Sequence, residues 1–192
     1  MTARRPPDAD DPLHGMDAPG LPGEPPIDAE SIDPVYWRAF GLVAFMMNRF
    51  IVDHVLRATR HFDNDAETMI LFGTVAHLNV AHLMPPGSSP TQVLSTDGRV
   101  PDAQRQLRAV RLRDLEQITG RPRETIRRKL ERLEAEGRLL RRPDGYVIDV
   151  ETVDPTMRAL SVDGVRRFME TSRAIESILR ETEKALAQER KR

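Results

Sequence analysis

The chain contains no cysteine. Disulfides, zinc–thiolate sites and thiol nucleophiles are therefore excluded, and the absence fits a reducing cytoplasm, the expected location. Aromatic residues are scarce at 5%, and the hydrophobic share of 39% is low beside 31% charged residues. That balance predicts a folded part joined to a solvated part. Lysine is rare as well, at three of 29 basic residues, an arginine bias of the kind a GC-rich bacterial genome produces. No long apolar run is present. The richest, Phe40 to Met47, is cut by Asn48 and Arg49, short of the ~20 residues a membrane span requires. Residues 1–34 carry prolines and acids where a secretory signal needs an apolar stretch, so no membrane partner is expected.

What is present is segregated charge. The net charge of −1 is an average over unlike segments. Residues 1–34 hold two basic and eight acidic residues, whereas residues 103–142 hold 13 basic and six acidic ones. Local charge sets the field that a partner feels, and the second segment has the sign a nucleic acid requires.

Four regions follow. Residues 1–32 hold seven of the 15 prolines, many acids and no apolar periodicity, and read as a disordered acidic tail. Asp33-Pro34 opens a helix covering residues 33–62, since aspartate caps well and proline suits the first helical position. Val35, Phe40, Val43, Met47, Phe50 and Val55 recur at helical spacing, and Phe45, Met46 and Ile51 widen the apolar surface. A helix so apolar is buried in a core or shared with another subunit. Residues 64–150 form the third region. A second helix starts at Asn64 or Asp65 and is ended by Pro85-Pro86-Gly87, and residues 85–104 read as a long loop. In residues 154–192, Asp154-Pro155 opens a short helix to about Leu160. A last helix at 162–189 places Val165, Phe168, Ile175, Leu179 and Leu186 at heptad-like spacing, with Ser172 and Thr182 in the same seam. Both terminal helices are expected to dimerise, with Phe50 and Leu179 as the probes of the two surfaces.

The informative stretch is residues 110–149. Val110 to Leu112 has the character of a short strand. Arg113 to Thr119 is a helix burying Leu115 and Ile118, and Gly120 allows a sharp turn. Pro122 to Glu136 is the next helix, with Ile126, Leu130 and Leu133 on a narrow buried stripe and Gly137 placed for the C-cap. Arg138 to Arg142, the turn Pro143-Asp144-Gly145, and Tyr146 to Asp149 make a hairpin. The fold class is thus mainly α: a winged helix-turn-helix of three helices and a β-hairpin wing, flanked by long N- and C-terminal helices. A helix fits the major groove of B-DNA, and arginine bonds guanine bidentately. Arg123, Thr125, Arg127, Arg128, Lys129 and Arg132 all lie off the buried stripe, and Arg141 and Arg142 stand beside the hairpin turn. The competing reading is a solvated charged helix with internal pairs such as Glu124 with Arg128.

The run Arg123-Glu124-Thr125-Ile126-Arg127-Arg128, with Leu130, Leu133-Glu134 and Gly137, resembles the recognition helix of the Crp/Fnr superfamily of bacterial transcription regulators. The resemblance covers about 40 of the 192 residues. It implies base contacts by Arg123, Glu124 and Arg128 and a phosphate contact by Thr125. Arg111, Arg113, Arg121, Arg127, Lys129, Arg141 and Arg142 complete the expected phosphate contacts. The helix starts that carry serine or threonine in that family carry Arg111 and Pro122 here. Helix precedes the motif in place of the family's cyclic-nucleotide domain, so no such site is implied. The long flanking helices look more like those of MarR- or PadR-type dimers.

Other constellations carry less. His54, His61, His77 and His82 lie with Asp53, Asp63 and Asp65 on the two upstream helices, but His77 and His82 are five apart, ~140° around a helix, not the i, i+4 pair of a helical metal site. Met46, Met47, Met69 and Met84 read as adaptable packing. Phosphate loop, nucleophile elbow and acid–base pair are all missing. The expected protein is a homodimeric, sequence-specific binder of double-stranded DNA, neither enzyme nor cofactor carrier, with a small-molecule effector left open. The alternative is a winged helix used for protein–protein contact.

Overall fold

The computed structural model describes residues 33–83, 102–151 and 154–192. The expected acidic tail at 1–32 and nearly all of the expected loop at 85–104 lie outside them. The described chain is mainly helical with one small antiparallel sheet, and it divides into two compact units. One comprises residues 67–83 and 102–151, the other residues 33–66 and 154–192.

The second unit is a helix pair. Helix α1 spans Pro34–Thr59, and the Asp33 carboxylate accepts the Val35 N–H at 2.8 Å, as the Asp-Pro start predicts. Its partner α6 spans Pro155–Glu189, and Asp154 accepts the Thr156 N–H in the same way. The two run antiparallel. Arg38 meets Glu189 at 3.2 Å, the Phe50 and Phe168 rings lie 5.8 Å apart, and His54 abuts Gly164.

Two sequence expectations change here. The break near residue 161 is absent: α6 is one 35-residue helix. Ser161 turns its hydroxyl back onto the Met157 carbonyl at 3.0 Å. Gly164 stays inside the helix because a Cβ there would lie 3.1 Å from the His54 ring. The second change concerns the apolar run cut at Asn48 and Arg49, two residues that lie inside α1 as the expected helix at 33–62 requires. The helix continues through them, and from Pro34 to Phe62 it is long and apolar enough, by length and composition, to cross a membrane.

Ala39, Val43, Met46, Phe50, Asp53 and Arg57 form the side of α1 turned to α6, at alternating spacings of four and three. A chain of ion pairs ties the helices midway: Asp163 to Arg167 at 2.6 Å, Arg167 to Asp53 at 3.5 Å, and Asp53 to Arg57 at 2.9 Å. These groups are about a third or more exposed, so the pairs add little stability and mainly fix register.

The first unit holds α2 (Ala66–Val80), α3 (Ala103–Gln106), α4 (Leu112–Thr119), α5 (Arg123–Ala135), β1 (Leu139–Arg142) and β2 (Gly145–Ile148). Helix α2 starts at Ala66, directly after Asp65, as the sequence suggests; Asp63 and Asn64 before it take left-handed φ angles of 51° and 61°, outside any helix. The core is built from Leu71, Val75 and Leu78 of α2, Leu115 of α4, Ile126, Leu130 and Leu133 of α5, and Leu139, Tyr146 and Val147 of the hairpin. Ile118 is only half-buried.

The hairpin register pairs Arg142 with Gly145. The turn is therefore Pro143-Asp144 alone, one residue shorter than expected. The strand expected at Val110 to Leu112 shrinks to a single bridge. Val110 exchanges two hydrogen bonds with Tyr146, at 3.0 and 2.9 Å, and Leu112 is already helical. Gly145 sits against that bridge with φ +149°, and a Cβ there would lie 2.4 Å from the Val110 carbonyl oxygen.

Asn79 locks the unit together from α2. Its side chain is fully buried. Nδ2 donates to the Arg108 carbonyl at 2.7 Å and the Tyr146 carbonyl at 3.1 Å, while Oδ1 accepts the Ile148 N–H at 2.8 Å. One amide thus serves three backbone groups: it is the partner of the Arg108 carbonyl and the Ile148 N–H, and it adds a second donor to the Tyr146 carbonyl, which also accepts from Val110.

Two outcomes follow. Asn79→Ala leaves the Arg108 carbonyl and the Ile148 N–H without that partner and should cost about 3 kcal/mol in urea unfolding, with the denaturant slope unchanged. Arg167 and Arg166, by hydrogen bonds, hold the Asp163 carboxyl down at about 2. Its folded pKa is lower than its unfolded one, so its contribution is full above the ordinary carboxylate range and is lost as pH falls through ~4 to ~2. Circular dichroism melts across that window should show Asp163→Asn with a shallower acid loss than the native chain.

Candidate nucleic-acid interface

Helix α4, a glycine turn, helix α5 and the β1–β2 hairpin follow one another in the first unit. Gly120 ends α4 with φ +62° and donates its N–H to the Glu116 carbonyl at 2.9 Å. Arg111 occupies the N-cap of α4, where an arginine side chain has no acceptor to offer. The Asp114 carboxylate instead reaches back to the Arg111 N–H at 3.1 Å. Pro122 is the N-cap of α5 and supplies no side-chain bond. Beyond α5, Gly137 takes φ +71°, and the Arg138 N–H closes onto the Leu133 carbonyl at 2.9 Å.

Ile126, Leu130 and Leu133 are buried almost completely and set the rotation of α5. At 100° per residue, Arg128 lies roughly 200° around from Ile126, pointing away from the core, with Glu124 beside it. Arg123 and Arg128 are exposed and have no hydrogen bond or ion pair to any described residue. Thr125 is half-buried on the first turn.

The other expected contacts have partners within the protein. Arg127 donates to Glu124 at 3.0 Å and to Glu131 at 2.6 Å. Those bonds hold the Glu124 carboxyl below its ordinary range and raise the Arg127 guanidinium further. Glu124, expected at a base edge, thus spends part of its acceptor capacity on its own helix. The expected pairing of Glu124 with Arg128 is replaced by this one with Arg127.

Lys129 is the most committed cation. Its side chain is only 11% exposed, and Nζ lies 3.3 Å from Glu67 and 3.0 Å from the Thr68 hydroxyl, both on the first turn of α2. Arg121 meets the other Glu67 oxygen at 3.0 Å. Arg113 leans on Asp114 at 3.4 Å while remaining 70% exposed. Arg132 pairs with Glu136 at 2.8 Å.

The two hairpin arginines differ. Arg141 is exposed, with its guanidinium 5.8 Å from the centre of the Tyr146 ring. Arg142 folds back onto the unit and donates to the Leu107 carbonyl at 3.0 Å and to the Gln104 carbonyl. Gln104 in turn donates to the Ile148 carbonyl at 3.0 Å and accepts the Val150 N–H at 2.9 Å. Glu67, Asn79 and Gln104 carry no motif in the sequence; their partners are set by tertiary contacts 29 to 69 residues away.

Among the described residues no group of three histidine or carboxylate side chains is arranged to hold a metal ion. His54 stacks on Phe50 with ring centres 5.7 Å apart.

Arg142→Ala removes the donor from two backbone carbonyls. It should lower unfolding stability by about 1–3 kcal/mol, whereas Arg141→Ala, whose side chain is exposed, should change it by less than about 0.5 kcal/mol. Urea denaturation of the two variants checks the distinction.

Comparison with protein-family models, with curated proteins and with solved structures finds no match to this chain.

Proposed function

We propose that the chain is a transcriptional regulator that binds double-stranded DNA through a winged helix-turn-helix. In this reading α4 and α5 are the helix pair, α5 is the recognition helix in the major groove, and β1–β2 is the wing on the phosphate backbone. The observation that carries the reading is the pair Arg123 and Arg128. Both guanidinia are exposed, with no hydrogen bond or ion pair among the described residues: Arg128 points away from the buried stripe of α5, and Arg123 stands at the helix's first residue, beyond the stripe's end.

Arginine matches the O6 and N7 acceptors of guanine, and a free guanidinium engages them without first breaking an internal pair. Arg128 is the principal base contact, and Arg123 meets a neighbouring base from the first turn. Glu124 accepts from cytosine N4 with the capacity Arg127 leaves it. Arg111, Arg113 and Arg141, exposed at the edges of α4 and the hairpin, meet phosphates together with Thr125. Arg121 and Arg127 join them only by exchanging Glu67 and Glu124 for phosphate. Lys129 and Arg142 serve the frame that holds the helix and the hairpin. Among the described residues no catalytic constellation supports an enzyme reading.

A second reading has an observation of its own. Arg113, Arg121, Arg127, Lys129, Arg132 and Arg138 each stand within 3.4 Å of a carboxylate. Such pairing suits a winged helix that contacts protein. Binding isotherms on random duplex DNA separate the two: salt-sensitive binding supports the DNA reading, and none at low salt supports the other.

On a selected site, Arg128→Ala should weaken binding ~10–100-fold with a smaller loss on random duplex, because a bidentate base contact is worth ~1–3 kcal/mol. Arg141→Ala should weaken both about equally and lower the salt slope by ~1. Equal patterns from the two variants would contradict the assignment of α5 as the recognition helix.

A further inference from the structure

Helix α1 has two seams. The first faces α6, as described. The second lies on the opposite side, at the same alternating spacing: Trp37, Gly41, Ala44, Asn48, Ile51 and Val55. Trp37 is 52% exposed and Ile51 49%, and Gly41 and Asn48 are exposed too. Phe40 and Met47 flank this seam on one side, and Phe45, Val52 and Leu56 on the other, all exposed. On α6 the exposed large apolar residues are confined to Val162, Val165, Phe168 and Met169.

The seam and its flanks hold eight large exposed apolar side chains of α1, and four more lie on α6. With about half of a 150–250 Å² aromatic, or somewhat less for an aliphatic, open on each, the face amounts to roughly 800–1,200 Å². A typical monomer's largest apolar patch is ~300–600 Å², and a stable interface needs ~800 Å² from each partner.

We propose that this face is covered by a second copy of the chain, with α1 packed antiparallel against α1 of the other copy, making a four-helix dimer core. A two-fold interface must be self-complementary, and the second seam is. Running it antiparallel against itself about residue 46 sets Trp37 opposite Val55 of the second copy, Gly41 opposite Ile51, and Ala44 opposite Asn48. Large side chains meet small ones at the middle pairs, and a lone polar Asn at a seam position fixes register. The Val162–Met169 patch lies beside the C-terminal part of α1, because Phe50 meets Phe168 and His54 meets Gly164. In the antiparallel dimer that part is crossed by the aromatic N-terminal half of the other α1, which brings Tyr36, Trp37 and Phe40 to the patch. Each copy covers the other's two apolar regions reciprocally.

Other occupants fit less well. A bilayer would suit α1 alone, but α6 brings Asp163, Arg166, Arg167 and Glu170 alongside it, and charges at that depth are expensive. Residues 1–32 contain no aromatic residue and are rich in acids and proline, too few apolar groups to cover such a face.

The chain's lack of cysteine makes the test specific. Sedimentation of the full chain at micromolar concentration should give twice the 21.8 kDa chain mass, and Ile51→Asp should give a monomer with unchanged helix content. Ala44→Cys and Asn48→Cys, co-expressed as separate chains and mildly oxidised, should form a disulfide between unlike chains. Stronger linkage when either variant is alone would overturn the antiparallel arrangement, as would a dimer without any linkage. A monomeric native chain, a dimeric Ile51→Asp variant, or flotation of the native chain with phosphatidylcholine–phosphatidylglycerol vesicles would overturn the proposal as a whole.

Discussion

Ile126, Leu130 and Leu133 bury against α4 and the hairpin, and that docking fixes the rotation of α5 about its own axis. Everything the helix can do follows from the angle so set. Side chains near the stripe are drawn into the protein: Lys129 reaches Glu67 and Thr68, and its charge is satisfied there. Arg128, roughly opposite the stripe, makes no hydrogen bond or ion pair with its side chain among the described residues. The same three leucine-sized contacts that hold the fold together therefore select which guanidinia remain available to a partner.

Net charge describes this surface poorly. The segment 103–142 is strongly basic by count, yet six of its 13 cations stand beside carboxylates, two of them, Arg127 and Arg132, paired three or four residues along the same helix. Exposed pairs of this type contribute little stability. Their effect is to hold arginines in place and to make a phosphate contact an exchange of one anion for another. Arg123 and Arg128 need no exchange, which is why they, rather than the larger basic set, carry the proposed specificity.

Much of the local structure was legible because its signals are local. Asp33-Pro34 and Asp154-Pro155 start helices by capping chemistry within two residues, and Gly120 and Gly137 mark turns whose φ angles only glycine adopts easily. The stripe on α5 is read from spacing alone. What the sequence hid depends on distant partners. The close approach of Gly164 to His54 joins residues 110 apart in the chain. The shortened turn rests on Gly145 fitting under Val110, and the duties of Arg142 and Lys129 rest on carbonyls and acids far along the chain. The heptad-like spacing of α6 signalled helix pairing correctly, but α1 of the same chain takes part of that role, and the wider unpaired surface lies on α1.

Amide hydrogen exchange of the full chain, with and without a saturating duplex at low salt, tests the central claim most directly. The account predicts new protection at the start of α5, residues 123–128, and along the hairpin near Arg141, with little change in residues 34–59. Protection confined to the α1–α6 pair, or no change in α5 under conditions where the duplex is bound, would contradict it.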